Sequence, residues 1–221
     1  MQYPFGTLIQ ACKKQVQSYP TILWLNGAAV GFFVLLTVYV KLWSDGKVIE
    51  RLFSPPFNQE FPYFGMLITA SNLLLCLSAS ICTFSVVLIK DSRSRGKINW
   101  FLAGFALILS VILLDRMFRF TVILVSLGSL LKLAMFLLYG VAAVGYASVF
   151  RHKLLSTPYA VLLGAVALLV FGAIVDLTQL DGHGLPAMLE EGSTLLAMIN
   201  IAIYVWIVCR KEVLKGLWQK S

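Results

Sequence analysis

Charged side chains are scarce in this chain of 221 residues, where Asp, Glu, Lys and Arg together make up 13%, about half the share of an ordinary soluble domain. That deficit, with the 59% of hydrophobic residues that accompanies it, excludes a water-soluble globular fold. Histidine is rarer still. The two residues His152 and His183 are too few for a three-histidine metal site, and loops on opposite sides of a membrane would keep them from sharing a metal or a haem. The four cysteines, Cys12, Cys76, Cys82 and Cys209, lack the C-x-x-C spacing of zinc and redox sites. They read as small apolar fillers, with Cys76 and Cys82 about 120° apart around a helix. No H-E-x-x-H, G-x-S-x-G or G-x-x-x-x-G-K-S/T motif occurs, so these three sequence signatures of catalysis or nucleotide binding are missing. Residues 15–20 after Lys13 and Lys14 are not the apolar core of a secretory signal, so the first apolar run is expected to stay in the mature protein. No cofactor and no metal site are expected.

What the chain has in abundance is long apolar runs. Six stand out against the roughly 20 residues that cross ~30 Å of hydrocarbon as a helix: 22–40, 64–89, 100–114, 130–150, 159–175 and 187–209. Between them lie turn-forming sequences such as Ser44-Asp45-Gly46, Pro55-Pro56, Ser156-Thr157-Pro158 and Asp181-Gly182-His183-Gly184. None of these connections is long enough for a soluble domain. The expected fold is an all-α, polytopic six-helix transmembrane bundle. Residues 1–19 form an interfacial arm, 20–209 the membrane domain and 210–221 a basic tail.

The net charge of +8 is then a threading signal and not a call for nucleic acid. Twelve of the 18 Lys and Arg fall on one side of the threading, in the N-terminal arm, loops two and four and the tail; six fall on the other. With the ten acids assigned the same way, the sides carry +10 and −2. The positive-inside bias places both termini in the cytoplasm. Trp24, Trp43, Trp100 and Trp218 fall near the expected interfaces, as belt anchors do.

Two features are irregular. The third run has 15 residues, about 22 Å at 1.5 Å per residue, so it either continues through residues 115–118 or thins the bilayer. The apolar segment 119–129 that follows is too short to cross and reads as an interfacial or re-entrant piece. Leu114-Asp115 and Val175-Asp176, each ending an outward run, are also a faint sign of internal duplication.

Ionisable groups at membrane depth are costly, which makes each a functional candidate. Asp115, Arg116 and Arg119 close the third run, Lys132 begins the fourth, Asp176 ends the fifth, and Glu190 and Glu191 open the sixth. All lie at the outer face in this threading, and Asp115 and Arg119 are spaced to pair along a helix. Two readings stay open. The carboxylates and arginines form one outer polar chamber, able to bind an ion, a lipid headgroup or a polar substrate; or they are ordinary helix-end residues facing dipoles and phosphates. Deeper in the runs lie Asn26, Ser71, Asn72 and Asn200, which read first as interhelical contacts. Asn72 is the most informative of them, because a buried amide needs several partners.

At Gly65-Met66-Leu67-Ile68-Thr69-Ala70-Ser71-Asn72-Leu73, Leu113-Leu114-Asp115-Arg116-Met117-Phe118 and Leu189-Glu190-Glu191-Gly192-Ser193-Thr194-Leu195-Leu196 the chain resembles an uncharacterised family of bacterial, often cyanobacterial, six-span membrane proteins. The resemblance covers most of residues 60–210. It implies a Leu-Asp-Asp/Glu run after the third span followed by His-Glu; here Asp115 is kept, Arg116 replaces the second acid, and Thr121-Val122 stand at the His-Glu positions. Any metal or proton chemistry those groups support in relatives would be lost in this chain. The topology is also reminiscent of His/Asp intramembrane hydrolases, but two histidines cannot supply their zinc site.

The function expected from the residues is non-catalytic: an accessory or scaffold subunit whose partners are membrane lipids and other membrane spans, with no nucleic acid. A small transporter or ion-coupled carrier using the outer acids and arginines is the alternative, and an intramembrane enzyme ranks last. The expected location is a bacterial cytoplasmic membrane or a thylakoid membrane.

Overall fold

The computed structural model describes residues 20–43, 65–89, 96–118, 120, 129–178 and 185–218. The elements are α1 (Pro20–Trp43), α2 (Met66–Ile89), α3 (Gly96–Phe118), α4 (Ser129–Val149), the short α5 (Arg151–Leu155), α6 (Tyr159–Thr178) and α7 (Leu185–Trp218). Among the described residues every regular element is helical. Four helices are long and apolar enough to cross a membrane: Met66–Ile89, Ile98–Phe118, Tyr159–Thr178 and Pro186–Gly216. Leu23–Tyr39 and Leu137–Val149 are shorter apolar helices. This is a membrane-embedded protein, all-helical among the described residues.

Local sequence accounts for several helix ends. Proline suits the first helical position because its missing N–H would be unpaired there, and α1 begins at Pro20. Gly65 adopts φ 66° just before α2, a left-handed conformation that favours glycine, and its carbonyl accepts hydrogen bonds from the Thr69 backbone N–H and hydroxyl, both at 2.9 Å. Pro158 immediately precedes α6.

Helix lengths settle the irregular third run. α3 is one helix of 23 residues that carries Asp115 and Arg116 in its last turn, about 35 Å long at 1.5 Å per residue, so no thinning is required. α7 has 34 residues and continues to Trp218, through much of the segment expected to be a basic tail. The expected interfacial arm at 1–19 lies outside the described residues, as does the expected re-entrant piece at 119–129 apart from Phe120 and Ser129.

The chain divides into two compact units, Met1–Leu74 with Tyr159–Tyr204, and Leu75–Pro158 with Val205–Ser221. In the first, Phe33 of α1 and Leu195 of α7 form a small core, against which Leu36, Leu67, Leu74, Met188 and Ile199 pack. Gly192 makes room for the Phe33 ring, since a Cβ there would lie 3.3 Å from it. In the second, Phe101 and Phe105 of α3 meet Tyr146 of α4 and Phe150, with the Tyr146 and Phe150 ring centroids 4.9 Å apart. The Tyr146 hydroxyl donates to the Phe101 carbonyl at 2.7 Å. α7 is the most enclosed of the four long apolar helices, with 67% of its apolar window buried against 22–33% in the other three.

The second unit also brings two cysteines together: the Cys209 and Cys82 sulfurs, 127 residues apart in sequence, are 3.9 Å apart and buried. A disulfide needs ~2.05 Å, so closure requires a movement of about 2 Å. Copper–phenanthroline, which enters hydrocarbon, should therefore reduce the maleimide adducts on the denatured chain from four to two, while Cys82→Ala should keep its three. Unchanged labelling of the wild type would contradict this packing of α2 on α7.

Candidate functional site

A primary amide inside hydrocarbon must place two protons and an acceptor oxygen without help from water. Asn26 of α1 and Asn200 of α7 solve this jointly. Asn26 Nδ2 donates to Asn200 Oδ1 at 2.9 Å, and Asn200 Nδ2 donates to Asn26 Oδ1 at 2.7 Å. The second Asn200 proton goes to the Leu196 carbonyl at 2.8 Å. Both residues belong to the first unit, 174 positions apart in sequence. Of the other two intramembrane candidates, Asn72 is half-buried and partnered. Ser71 is buried, and its hydroxyl has no partner among the described residues. Sequence reasoning passed over Asn99 of α3, whose buried Oδ1 is likewise without a partner among the described residues.

The charges expected at the outer face divide between the units. Asp176, Glu190 and Glu191 belong to the first, and Asp115 and Arg116 to the second; Arg119 lies outside the described residues. All five described residues are half-buried and partnered. Around Glu190 the local architecture is a tight crossing of α6 and α7. The Glu190 carbonyl accepts the hydroxyls of Ser193 at 2.8 Å and Thr194 at 2.9 Å. Gly172 of α6 sits against them so closely that a Cβ there would lie 2.7 Å from Ser193 Oγ and 3.1 Å from the Glu190 carbonyl oxygen. Asp176 is one turn further along the same face of α6 as Gly172.

The second unit holds two concave features that sequence reasoning missed. One is a cavity of about 160 Å³ lined by Lys153, Ser156, Thr157, Lys211, Glu212 and Lys215, with apolar walls that include Ile98 and Val208. Ser156 and Thr157 donate their hydroxyls to the Lys153 and Leu154 carbonyls at 2.7 and 2.6 Å, which holds the turn after α5 closed. Lys215 Nζ donates to Glu212 Oε1 at 2.8 Å. The other is a wide, mainly apolar groove of about 900 Å³ along α2 and α7, bordered by Cys76, Phe84, Leu88, Trp206 and Arg210. Lysine spacing within α7 gave a partial signal for the cavity, since Lys211 and Lys215 share one helix face. The approach of Lys153 is a tertiary fact with no counterpart in local sequence.

Long apolar helices, amide pairing between helices and broad apolar faces define the class: an integral, helical membrane protein. The chain belongs to the family described as a domain of unknown function, DUF8692, whose model matches residues 21–208. No curated protein and no solved structure matches it.

Removing one member of a buried amide pair strands the other, which costs more than removing both. Asn200→Leu should lower stability in detergent by about 1–2 kcal/mol, and Asn26→Leu/Asn200→Leu should recover part of that loss in a thermal melt. Equal, additive losses would show that the two amides do not interact. At the α6–α7 crossing, Gly172→Ala forces a methyl against Ser193 and should cost about 1–3 kcal/mol. Ser193→Ala in the same chain should restore part of this, and an unchanged melt in Gly172→Ala would contradict the close approach.

Proposed function

We propose that this is a non-catalytic, six-span integral membrane protein that serves as an accessory or scaffold subunit, packing against lipid and other membrane spans. In this reading both termini are cytoplasmic, and the membrane is a bacterial cytoplasmic or thylakoid membrane. The count of six is supported by the lengths of α1 and α4, 24 and 21 residues, each long enough to join the four long apolar helices as a crossing. The orientation rests on the distribution of Lys and Arg.

The observation that carries the reading is the Asn26–Asn200 pair. These amides bond to each other, and Asn200 also to a helix carbonyl, as residues that fix one helix against another do. Large apolar side chains meanwhile face outward on α1 and α4, with Leu35 70% and Val149 74% exposed. Such faces suit lipid or another membrane helix.

Purification in mild detergent followed by mass spectrometry should recover a stoichiometric membrane partner. Glu190→Ala and Glu191→Ala should reduce assembly or lower the melting temperature by about 2–4 °C for each kcal/mol lost, without abolishing a reaction. A stable, fully assembled Glu190→Ala variant that has lost transport or turnover would overturn the reading. A fluorescent protein fused after Ser221 should fluoresce and an alkaline phosphatase fused there should be inactive; the reverse result would invert the threading.

A further inference from the structure

The lysine-lined cavity of the second unit has an uneven charge balance. Lys153 comes from α5, and Lys211 and Lys215 come from α7. The one acid in its lining, Glu212, is taken up by Lys215 at 2.8 Å. Three ammonium groups against one carboxylate leave the lining two positive charges in excess, carried on the exposed side chains of Lys153, Lys211 and Lys215. Like charges gathered around one small space repel, and a bound anion relieves that repulsion. The Ser156 and Thr157 hydroxyls already donate to backbone carbonyls, which leaves the ammonium groups as the donors for a ligand.

Depth and wall chemistry narrow the choice of anion. At 34 residues α7 is about 51 Å long at 1.5 Å per residue, against ~30 Å of hydrocarbon and ~40–45 Å with the headgroup layers. Its last turns, which carry Lys211 and Lys215, therefore extend to headgroup depth. The remaining lining is apolar, with Ile98 and Val208 buried at 7% and 4% exposure and Ile207 half-buried. A free inorganic anion would use the charge and leave that wall idle. A lipid supplies both a phosphate for the lysines and a glycerol and acyl region for the apolar wall, as headgroups do in basic pockets between membrane helices.

We propose that this cavity binds the phosphate group of an anionic phospholipid through Lys153 and Lys211. The inference rests on the membrane-spanning part of the function proposed above and is independent of the accessory role. Failure to find a protein partner would leave it intact, and its own failure would leave the partner reading intact.

The test uses the full chain in mild-detergent micelles doped with phosphatidylglycerol or phosphatidylcholine, with lipid retained per chain read by native mass spectrometry. The wild type should retain phosphatidylglycerol in preference to phosphatidylcholine. A direct charge-assisted contact from each lysine to the phosphate is worth roughly fivefold, so Lys153→Gln/Lys211→Gln should weaken retention about 25-fold. Lys153→Arg/Lys211→Arg keeps the charge and should retain the lipid. Arg151→Gln/Arg210→Gln removes the same charge from exposed positions outside the cavity lining and should stay within about twofold of the wild type.

Equal retention of the two lipids by the wild type would overturn the proposal, a result that does not depend on any variant folding. So would an Arg151→Gln/Arg210→Gln loss as large as that of Lys153→Gln/Lys211→Gln. Inorganic phosphate added to wild type at millimolar concentration should not displace the lipid. Displacement would identify a free anion as the ligand and overturn the lipid assignment.

Discussion

Hydrocarbon neither donates nor accepts a hydrogen bond, and this one constraint orders most of the molecule. It selects helices, which satisfy their own backbone, and it then sorts the polar side chains by how many bonds they must make. A hydroxyl can be satisfied within its own helix: Thr37, Thr69, Thr83 and Ser85 each donate to the carbonyl four residues back, at 2.7–2.9 Å. A primary amide cannot be satisfied so easily. Asn200 places one proton on the Leu196 carbonyl in this way and still has a proton and an oxygen to place. Asn26 takes both. Hydroxyls are therefore compatible with many helix arrangements, whereas the amide pair specifies that α1 lies beside α7.

Without a hydrophobic driving force between spans, association depends on close approach and van der Waals contact. The two units reach it by different means. In the first, small residues let backbones approach, as at Gly172 against Ser193 and at Gly192 against the Phe33 ring. In the second, rings interlock around Tyr146, and Gly104 clears a place that a Cβ would occupy only 3.0 Å from that ring. Shape thus performs in each unit what burial from water performs in a soluble core.

Apolar runs made the helices readable in advance, because their composition differs so sharply from that of their connections. Boundaries were less readable. The third run ends in sequence where charge begins, at Asp115, but the helix continues through Asp115 and Arg116 to Phe118, since a charged side chain near a helix end can reach polar surroundings without unwinding its backbone. α7 likewise passes Cys209 for the same reason. Asn26 and Asn200 stood out as amides in apolar surroundings, but their mutual pairing spans 174 residues and no local pattern encodes it. The outer charges show the converse: hydropathy placed them at one depth, and depth alone does not state which helices share a contact. Lys211 and Lys215 were legible as neighbours on one helix face, but the approach of Lys153 to them was not, because a topology count discards direction.

That last point bears on how a positive-inside bias should be read physically. One lysine at a helix end extends to water and interacts with the membrane only diffusely. Lys153, Lys211 and Lys215 are exposed and line one cavity with a single carboxylate among them, so each ammonium extends to solvent when the cavity is empty and turns inward where an anion offsets the mutual repulsion. Their field is focused by the apolar wall beside them, where the effective dielectric is lower than in bulk water. Lysines that a topology count treats as interchangeable thus differ from one another once the chain has folded. In a chain with so few charges, the placement of these three distinguishes a general attraction to the leaflet from a site with a shape.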